Sequence, residues 1–381
     1  MKKTHTLVMI PGPTPVVEPI RAEMAREIQA FGDPRFVADY KWLIDKLGEL
    51  FNCSGQCFPL AGTGTLAMEM AIANVTKRGD NILICSNGFF GDRFIEIAER
   101  KGLNVDVIGA EWGTTVSPEQ VEKALEEKSY AAVTVSHVDT ATGVVAPIEA
   151  IGEVLKKYPD TMYIVDGVAA TGAEYADVDG YGIDILFTGS QKAFGVSSGM
   201  FILWASKAAL ERRESLGTIP EYFVDFKKWL PIMDNPAKYF ATPAVNLVWA
   251  MKKATEIIEE EGLKARYERH VKNARAAQAA FEAMGFKILA QEGCRATTLT
   301  VAIYPEGVDD AKFRNMMFEE GVICAGALAQ YAGKAFRLGH MGNIDKNDMV
   351  AALGTVERCV KACGADVKLG TAVGTYLANM E

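Results

Sequence analysis

The stretch Ile183-Asp184-Ile185-Leu186-Phe187-Thr188-Gly189-Ser190-Gln191-Lys192 decides how the chain is read. Its first half is short and apolar, as a buried strand would be, and a small polar turn then delivers one lysine at the carboxyl end. A second run, Met162-Tyr163-Ile164-Val165, ends in the same way on Asp166. In an open α/β sheet the carboxyl ends of neighbouring strands form the ligand crevice, so a lysine amine and a carboxylate can face each other there.

Strand and helix signals alternate outward from this stretch. Before it come strands at Asn81 to Ile84, Val105 to Ile108 and Ala131 to Ser136. Between them lie helices at Asp92 to Lys101 and Ser117 to Glu127, the latter with Ser117 as N-cap and Pro118 at its first position. A helix from Ile148 to Tyr158 precedes the two strands already quoted, and Met200 to Trp204 closes the series. The alternation predicts an α/β fold on a mostly parallel sheet covered on both faces. Upstream, helices are expected at Val16 to Ala30 and Val37 to Phe51, after Pro11-Gly12-Pro13-Thr14-Pro15. Those prolines exclude regular structure and read as an arm or loop laid over another element.

The pattern changes near Pro243. A helical stretch from Ala244 to about Met284, broken once at Gly262, leads to a shorter α+β segment. Its expected strands are Phe286 to Leu289, Leu299 to Tyr304 and Val322 to Ala325, with helices at Asp309 to Glu320 and Lys346 to Cys363. The expected division is an arm over 1–18 returning to the smaller domain, a large domain over 19–262 and a small one over 263–381.

A chain of 381 residues with 49% apolar content has ample material for such a core. Its net charge of −9 argues against nucleic acid or an anionic membrane as the main partner, and leaves small ligands open. Seven scattered cysteines fit reduced thiols better than a disulfide framework or a zinc site, and no metal is expected. The apolar stretch near the N-terminus is cut by proline and glycine before it could form a signal-peptide core, so the expected compartment is the cytoplasm.

Several motifs carry chemistry. A strand-end lysine with a strand-end acid suits a lysine-bound pyridoxal phosphate, although any α/β protein can carry both on its surface. Gly62-Thr63-Gly64-Thr65 at a helix start offers backbone N–H groups, hydroxyls and the positive helix end to a phosphate, or is simply a glycine turn with a threonine N-cap. It is a poor dinucleotide fingerprint, because Leu66 and Ala67 stand where a third glycine should begin to appear and Asp80 precedes its strand. Of Phe89 and Phe90, one ring can lie against a flat cofactor, though buried core is the commoner fate. In Ser136-His137-Val138-Asp139-Thr140-Ala141-Thr142-Gly143 the histidine reads as structural, and Thr140 or Thr142 can donate to a phenolate oxygen. Arg337, among small and apolar neighbours, either pairs internally or awaits a carboxylate that its planar fork fits. His340 fits a satisfied surface histidine equally well.

In this order the motifs resemble the class V, fold type I aminotransferases, most closely the alanine-glyoxylate and serine-pyruvate branch. The likeness runs from Pro11-Gly12-Pro13-Thr14-Pro15 to Arg337-Leu338-Gly339-His340-Met341-Gly342, and includes Tyr239-Phe240-Ala241-Thr242-Pro243. It implies a large domain on a mostly parallel seven-stranded sheet and a smaller C-terminal α+β domain. It also implies pyridoxal 5'-phosphate, with Lys192 holding the aldehyde as a Schiff base and later moving a proton, and Asp166 pairing with the ring nitrogen. Thr63, Gly64, Thr65 and Gln191 would hold the phosphate, Phe90 would stack on the ring and Thr140 would bond its phenolic oxygen. Arg337 and Gly12 would bind substrate. Tyr239 and Thr242 would reach the phosphate of a neighbouring subunit, which makes the working unit a homodimer. Two departures concern the substrate entrance and the stacking area: Phe31-Gly32-Asp33 lacks a histidine-arginine pair, and Phe90 stands where tryptophan is frequent.

The expected activity moves the amino group of a small L-amino acid, alanine or serine, to glyoxylate or pyruvate. A lyase or cysteine desulfurase is the alternative, with Cys324 as the candidate nucleophile. A third reading is a non-catalytic subunit of a soluble hydrogenase-like complex.

Overall fold

The computed structural model describes residues 6–381, so the first five residues of the expected arm lie outside the described residues. Seven strands form the central sheet in the order Gln56–Gly62, Gly199–Ala205, Ile185–Gly189, Met162–Asp166, Ala132–Ser136, Asn81–Ser86 and Asn104–Gly109. Gly199–Ala205 runs antiparallel to both its neighbours, and the four pairings from Ile185–Gly189 to Asn104–Gly109 are parallel. The sheet is thus mostly parallel, as the alternation predicts. Ile185–Gly189, Met162–Asp166 and Ala132–Ser136 are buried along their whole length, which is why they read as unbroken apolar runs.

The strand Gln56–Gly62 was not legible as one. It contains Pro59, which has no N–H to give to a ladder, and a proline argues against a central strand. The chain accommodates it by placing this strand at the sheet edge, paired only with Gly199–Ala205.

Helix boundaries also moved for identifiable reasons. The first helix covers Glu18–Met24 rather than running to Ala30, and Asn246 Nδ2 donates to the carbonyls of Met24 and Arg26 at 3.0 and 2.8 Å. Those carbonyls are bound from another element instead of continuing the helix. Pro118–Glu127 begins as predicted, with Ser117 and Gln120 forming a reciprocal capping box. The break at Gly262 is also real: φ is +80° there, between Val245–Glu261 and Leu263–Ala283.

A second apolar cluster, with Phe281, Phe286, Phe313 and Phe336 at its centre, surrounds a four-stranded sheet and includes Leu7 and Met9. The expected strand from Val322 to Ala325 is split in two. Val322–Ile323 pairs in parallel with Leu7–Val8, and Ala325–Gly326 pairs with Ala335–Gly339, a strand absent from the sequence reading.

Candidate active site

Adjacent parallel pairing of Met162–Asp166 with Ile185–Gly189 sets Asp166 opposite Phe187 in register. The turn after Gly189 therefore brings Lys192 to the same sheet edge. A cavity of about 180 Å³ opens there, and Thr63, Gly64, Thr65, Phe90, Thr140, Asp166, Gln191 and Lys192 all line it. Residues scattered over more than a hundred positions are brought together because each follows a strand whose carboxyl end points the same way.

The electrostatics of the pair follow from burial. Asp166 is 6% exposed, and desolvation pushes its carboxyl up to about 7, against the pull of the Val168 N–H that donates to Oδ1 at 2.9 Å. Asp139 nearby pushes it further up, while Lys192 and Arg93 pull it down. Burial also brings the Lys192 amine down to about 8, with the positive charge of Arg337 adding to this and Asp166 opposing it. Lys192 Nζ donates to the carbonyl of Pro11, so the proline-rich arm lies over the lysine. Thr14 secures the arm, its N–H donating to Gln191 O at 2.9 Å and its hydroxyl to Lys192 O at 2.7 Å.

The opposite wall is the start of the helix Gly64–Val75. Thr63 caps it, accepting weakly from Leu66 N–H at 3.4 Å, so the N-cap reading holds, and it also lines the cavity. Gly64 is demanded by contact, since a Cβ there would stand 2.8 Å from Val168 Cγ2. Helix-start N–H groups without helical partners, approached this closely, form a cradle for an anion.

Sequence reading missed Asp139 and Arg93. Fully buried Asp139 accepts from Phe90 and Gly91 N–H through Oδ2, at 2.8 and 3.3 Å, and from Ala141 N–H through Oδ1 at 2.8 Å. One carboxylate thus ties the backbone at Phe90 and Gly91 to the loop carrying Thr140. It lay inside a motif read only for its histidine and hydroxyls. Arg93 lines the cavity beside Phe90, and the spacing of three on one helix was the signal available.

Other expected residues stand further off. Arg337 is half-buried on Ala335–Gly339 and donates to Gly326 O at 2.9 Å and Thr140 O at 3.2 Å, which leaves part of its fork unused. Gly12 lies against Lys192. Tyr239 and Thr242 are exposed, with their hydroxyl oxygens 3.4 Å apart, and neither lines the cavity of this single chain. The rings of Phe31 and Tyr239 are 5.2 Å apart, which places the Phe31-Gly32-Asp33 loop beside that pair. His340 is not on the surface: it is fully buried, with Nε2 3.0 Å from Thr300 Oγ1. His137 is buried too, its imidazole held neutral by desolvation that brings it down to about 3.

These residues fit pyridoxal phosphate. The carboxylate of Asp166 is buried and, among the described residues, accepts only from the Val168 N–H, a helix start is open to a phosphate, and the amine pulled down to about 8 is partly neutral near physiological pH. Residues 50–333 match the family described as aminotransferase class V. An uncharacterized aminotransferase of Methanocaldococcus jannaschii is 37% identical over 364 residues, covering 95% of this chain and 94% of that protein. Serine–glyoxylate aminotransferase of Arabidopsis thaliana is 31% identical over 382 residues, covering 98% and 95%. Among solved structures, ureidoglycine–glyoxylate aminotransferase from Bacillus subtilis superposes with a TM-score of 0.93 at 28% identity, covering 100% of this chain and 99% of that one. The chain belongs to the class V aminotransferases, pyridoxal-phosphate-dependent transaminases of fold type I.

Proposed function

We propose that this transaminase moves the amino group of a small L-amino acid, alanine or serine, to a 2-oxo acid, glyoxylate or pyruvate. The observation that carries the reading is Lys192 and Asp166 lining one cavity with an anion cradle on its far wall. The names of the serine–glyoxylate and ureidoglycine–glyoxylate relatives support glyoxylate as acceptor.

When bound, the cofactor supplies an aldehyde that bonds to amines and a ring that takes up negative charge. Lys192 would hold that aldehyde through Nζ, and the same amine is placed to carry a proton to and from the substrate's Cα. Asp166 would keep the ring nitrogen protonated; a buried carboxylate gains most from such a cation, because water does not screen it. Phe90 and Thr140 line the same cavity, where Phe90 would cover one face of the ring and Thr140 would donate to its phenolic oxygen. Thr63, Gly64, Thr65 and Gln191 hold the phosphate. The unused part of the Arg337 fork takes the substrate carboxylate, and Gly12, packed against Lys192, is the second residue given to substrate.

Exposure of Tyr222, Phe223 and Tyr239 supports a homodimer in which Tyr239 and Thr242 reach the partner's phosphate. The division at 18 and 262, and a cytoplasmic location, belong to the same reading. Against the lyase alternative, burial pushes the Cys324 thiol up to about 12, which leaves little thiolate to act as nucleophile.

The test is absorbance of the purified protein with pyridoxal phosphate, followed by a panel of amino donors against glyoxylate and pyruvate. Turnover with alanine or serine and glyoxylate is expected. Lys192→Ala should abolish it, and retained multiple turnover would remove the role given to Lys192. Sulfide release from cysteine would favour the lyase, and absence of any amino-acid-dependent spectral change would favour the non-catalytic subunit.

A further inference from the structure

The cavity contains a second cation to which the family resemblance gives no role. Arg93 lines it together with Lys192. It follows Phe90 by three residues on the helix Phe89–Lys101, so the two side chains share a face. The guanidinium carbon lies 4.9 Å from the centre of the Phe90 ring, and Nη1 donates to Thr65 Oγ1 at 3.1 Å. Among the described residues no carboxylate pairs with this arginine.

A half-exposed arginine resting on an aromatic ring is ordinarily a solvated surface group. Arg93 differs in what it touches. Its hydrogen bond goes to a hydroxyl in the anion cradle, and only one of its five N–H donors is used. Because Thr65 accepts from Arg93, it keeps its own hydroxyl proton to donate into the cavity.

Charge decides what this arrangement is for. A phosphate monoester carries about −1.5 to −2 at neutral pH. The start of the helix Gly64–Val75 offers roughly half a positive charge, and Thr63, Thr65 and Gln191 are neutral. Lys192 is committed to the aldehyde in the proposed reading, which leaves Arg93 as the cation lining the cavity beside the cradle.

We infer that Arg93 is the cationic ligand of the cofactor phosphate and reaches it alongside the Thr65 hydroxyl. The inference rests on the proposed phosphate cradle, and it adds a residue to that cradle.

The experiment compares wild type, Arg93→Gln, Arg93→Lys and Lys192→Ala as apo proteins. Inorganic phosphate is titrated by thermal shift and pyridoxal phosphate by fluorescence quenching. Arg93→Gln should bind both about tenfold or more weakly, the range expected for losing a charged hydrogen bond, and Arg93→Lys should recover part of the loss. Lys192→Ala should keep its affinity for inorganic phosphate. Wild-type phosphate affinity in Arg93→Gln would overturn the inference, as would an effect confined to the KM of the oxo acid. If Arg93→Gln does not fold, Arg93→Met replaces it in the same titrations: a phosphate affinity equal to wild type overturns the inference, and one about tenfold or more weaker supports it. Phosphate binding that depends on Arg93, in a protein that never captures the aldehyde on Lys192, would sink the transaminase assignment alone.

Discussion

Gly12 and Lys192 are in mutual contact so close that no side chain fits between them. A Cβ on Gly12 would stand 2.5 Å from Lys192 Cδ and 2.8 Å from Nζ, and Gly12 also has φ of +102°. Gly12→Ala is therefore strained twice, in its backbone and against the lysine. We expect at least a tenfold loss in the rate at which the apo protein captures pyridoxal phosphate, alongside a loss of stability of about 1 kcal/mol or more. Stopped-flow absorbance checks the first effect and thermal denaturation the second; wild-type capture kinetics would mean that the lysine has room to move aside.

Asp139 should matter for order rather than chemistry. In Asp139→Ala the N–H groups of Phe90, Gly91 and Ala141 lose their acceptor in a buried place, at a cost of about 1–3 kcal/mol. Thermal denaturation reports that cost. Because Phe90 and the Thr140 loop are then no longer tied together, cofactor affinity should fall as well, while Asp139→Asn, which keeps one acceptor oxygen, should lose less of both.

Arg337 has two separable effects. Its charge helps to bring the Lys192 amine down to about 8, so Arg337→Met should move that amine back up. The pH at which aldehyde capture reaches half its maximal rate should rise, because the neutral amine then appears only at higher pH. In the proposed reading the same change removes the carboxylate fork and raises KM for both substrates by about tenfold or more. A pH profile and a steady-state KM measured on one variant distinguish the two, and an unmoved pH profile would show that the charge does not reach Lys192.

Glu174 lies away from the cavity and is 9% exposed, accepting from Thr297 N–H at 2.5 Å. Burial pushes its carboxyl up to about 7 from the ordinary 4.5. Between those values the native state binds more protons than the unfolded one, so stability falls as pH rises and the penalty is complete above about 7. Glu174→Gln can still accept from Thr297 and carries no charge. It should be more stable than wild type at pH 8, by up to about 3 kcal/mol, with no gain at pH 4. Denaturation midpoints at the two pH values measure the difference, and equal shifts at both would exclude this titration as the cause.

Much of the fold was legible because it is encoded over short distances. Burial on both faces makes Ile185–Gly189 and Met162–Asp166 continuous apolar runs. The capping box at Ser117 and Gln120, and the helix break at Gly262, are each set by a few adjacent residues. The ordered motifs likewise brought Thr63, Thr65, Phe90, Thr140, Gln191 and Lys192 into one expected cavity, where the structure has them.

Tertiary structure alone decided the rest, because the deciding partner is distant in sequence. Gln56–Gly62 becomes a strand only through Gly199–Ala205, which tolerates Pro59 at the sheet edge. Asn246 takes the carbonyls of Met24 and Arg26, and so bears on where the first helix ends. The importance of Asp139 lies in backbone N–H groups on another element, and Arg93 acquires its place from a hydroxyl on a different helix. Local periodicity specifies which elements form; which buried donor meets which acceptor depends on how those elements are stacked.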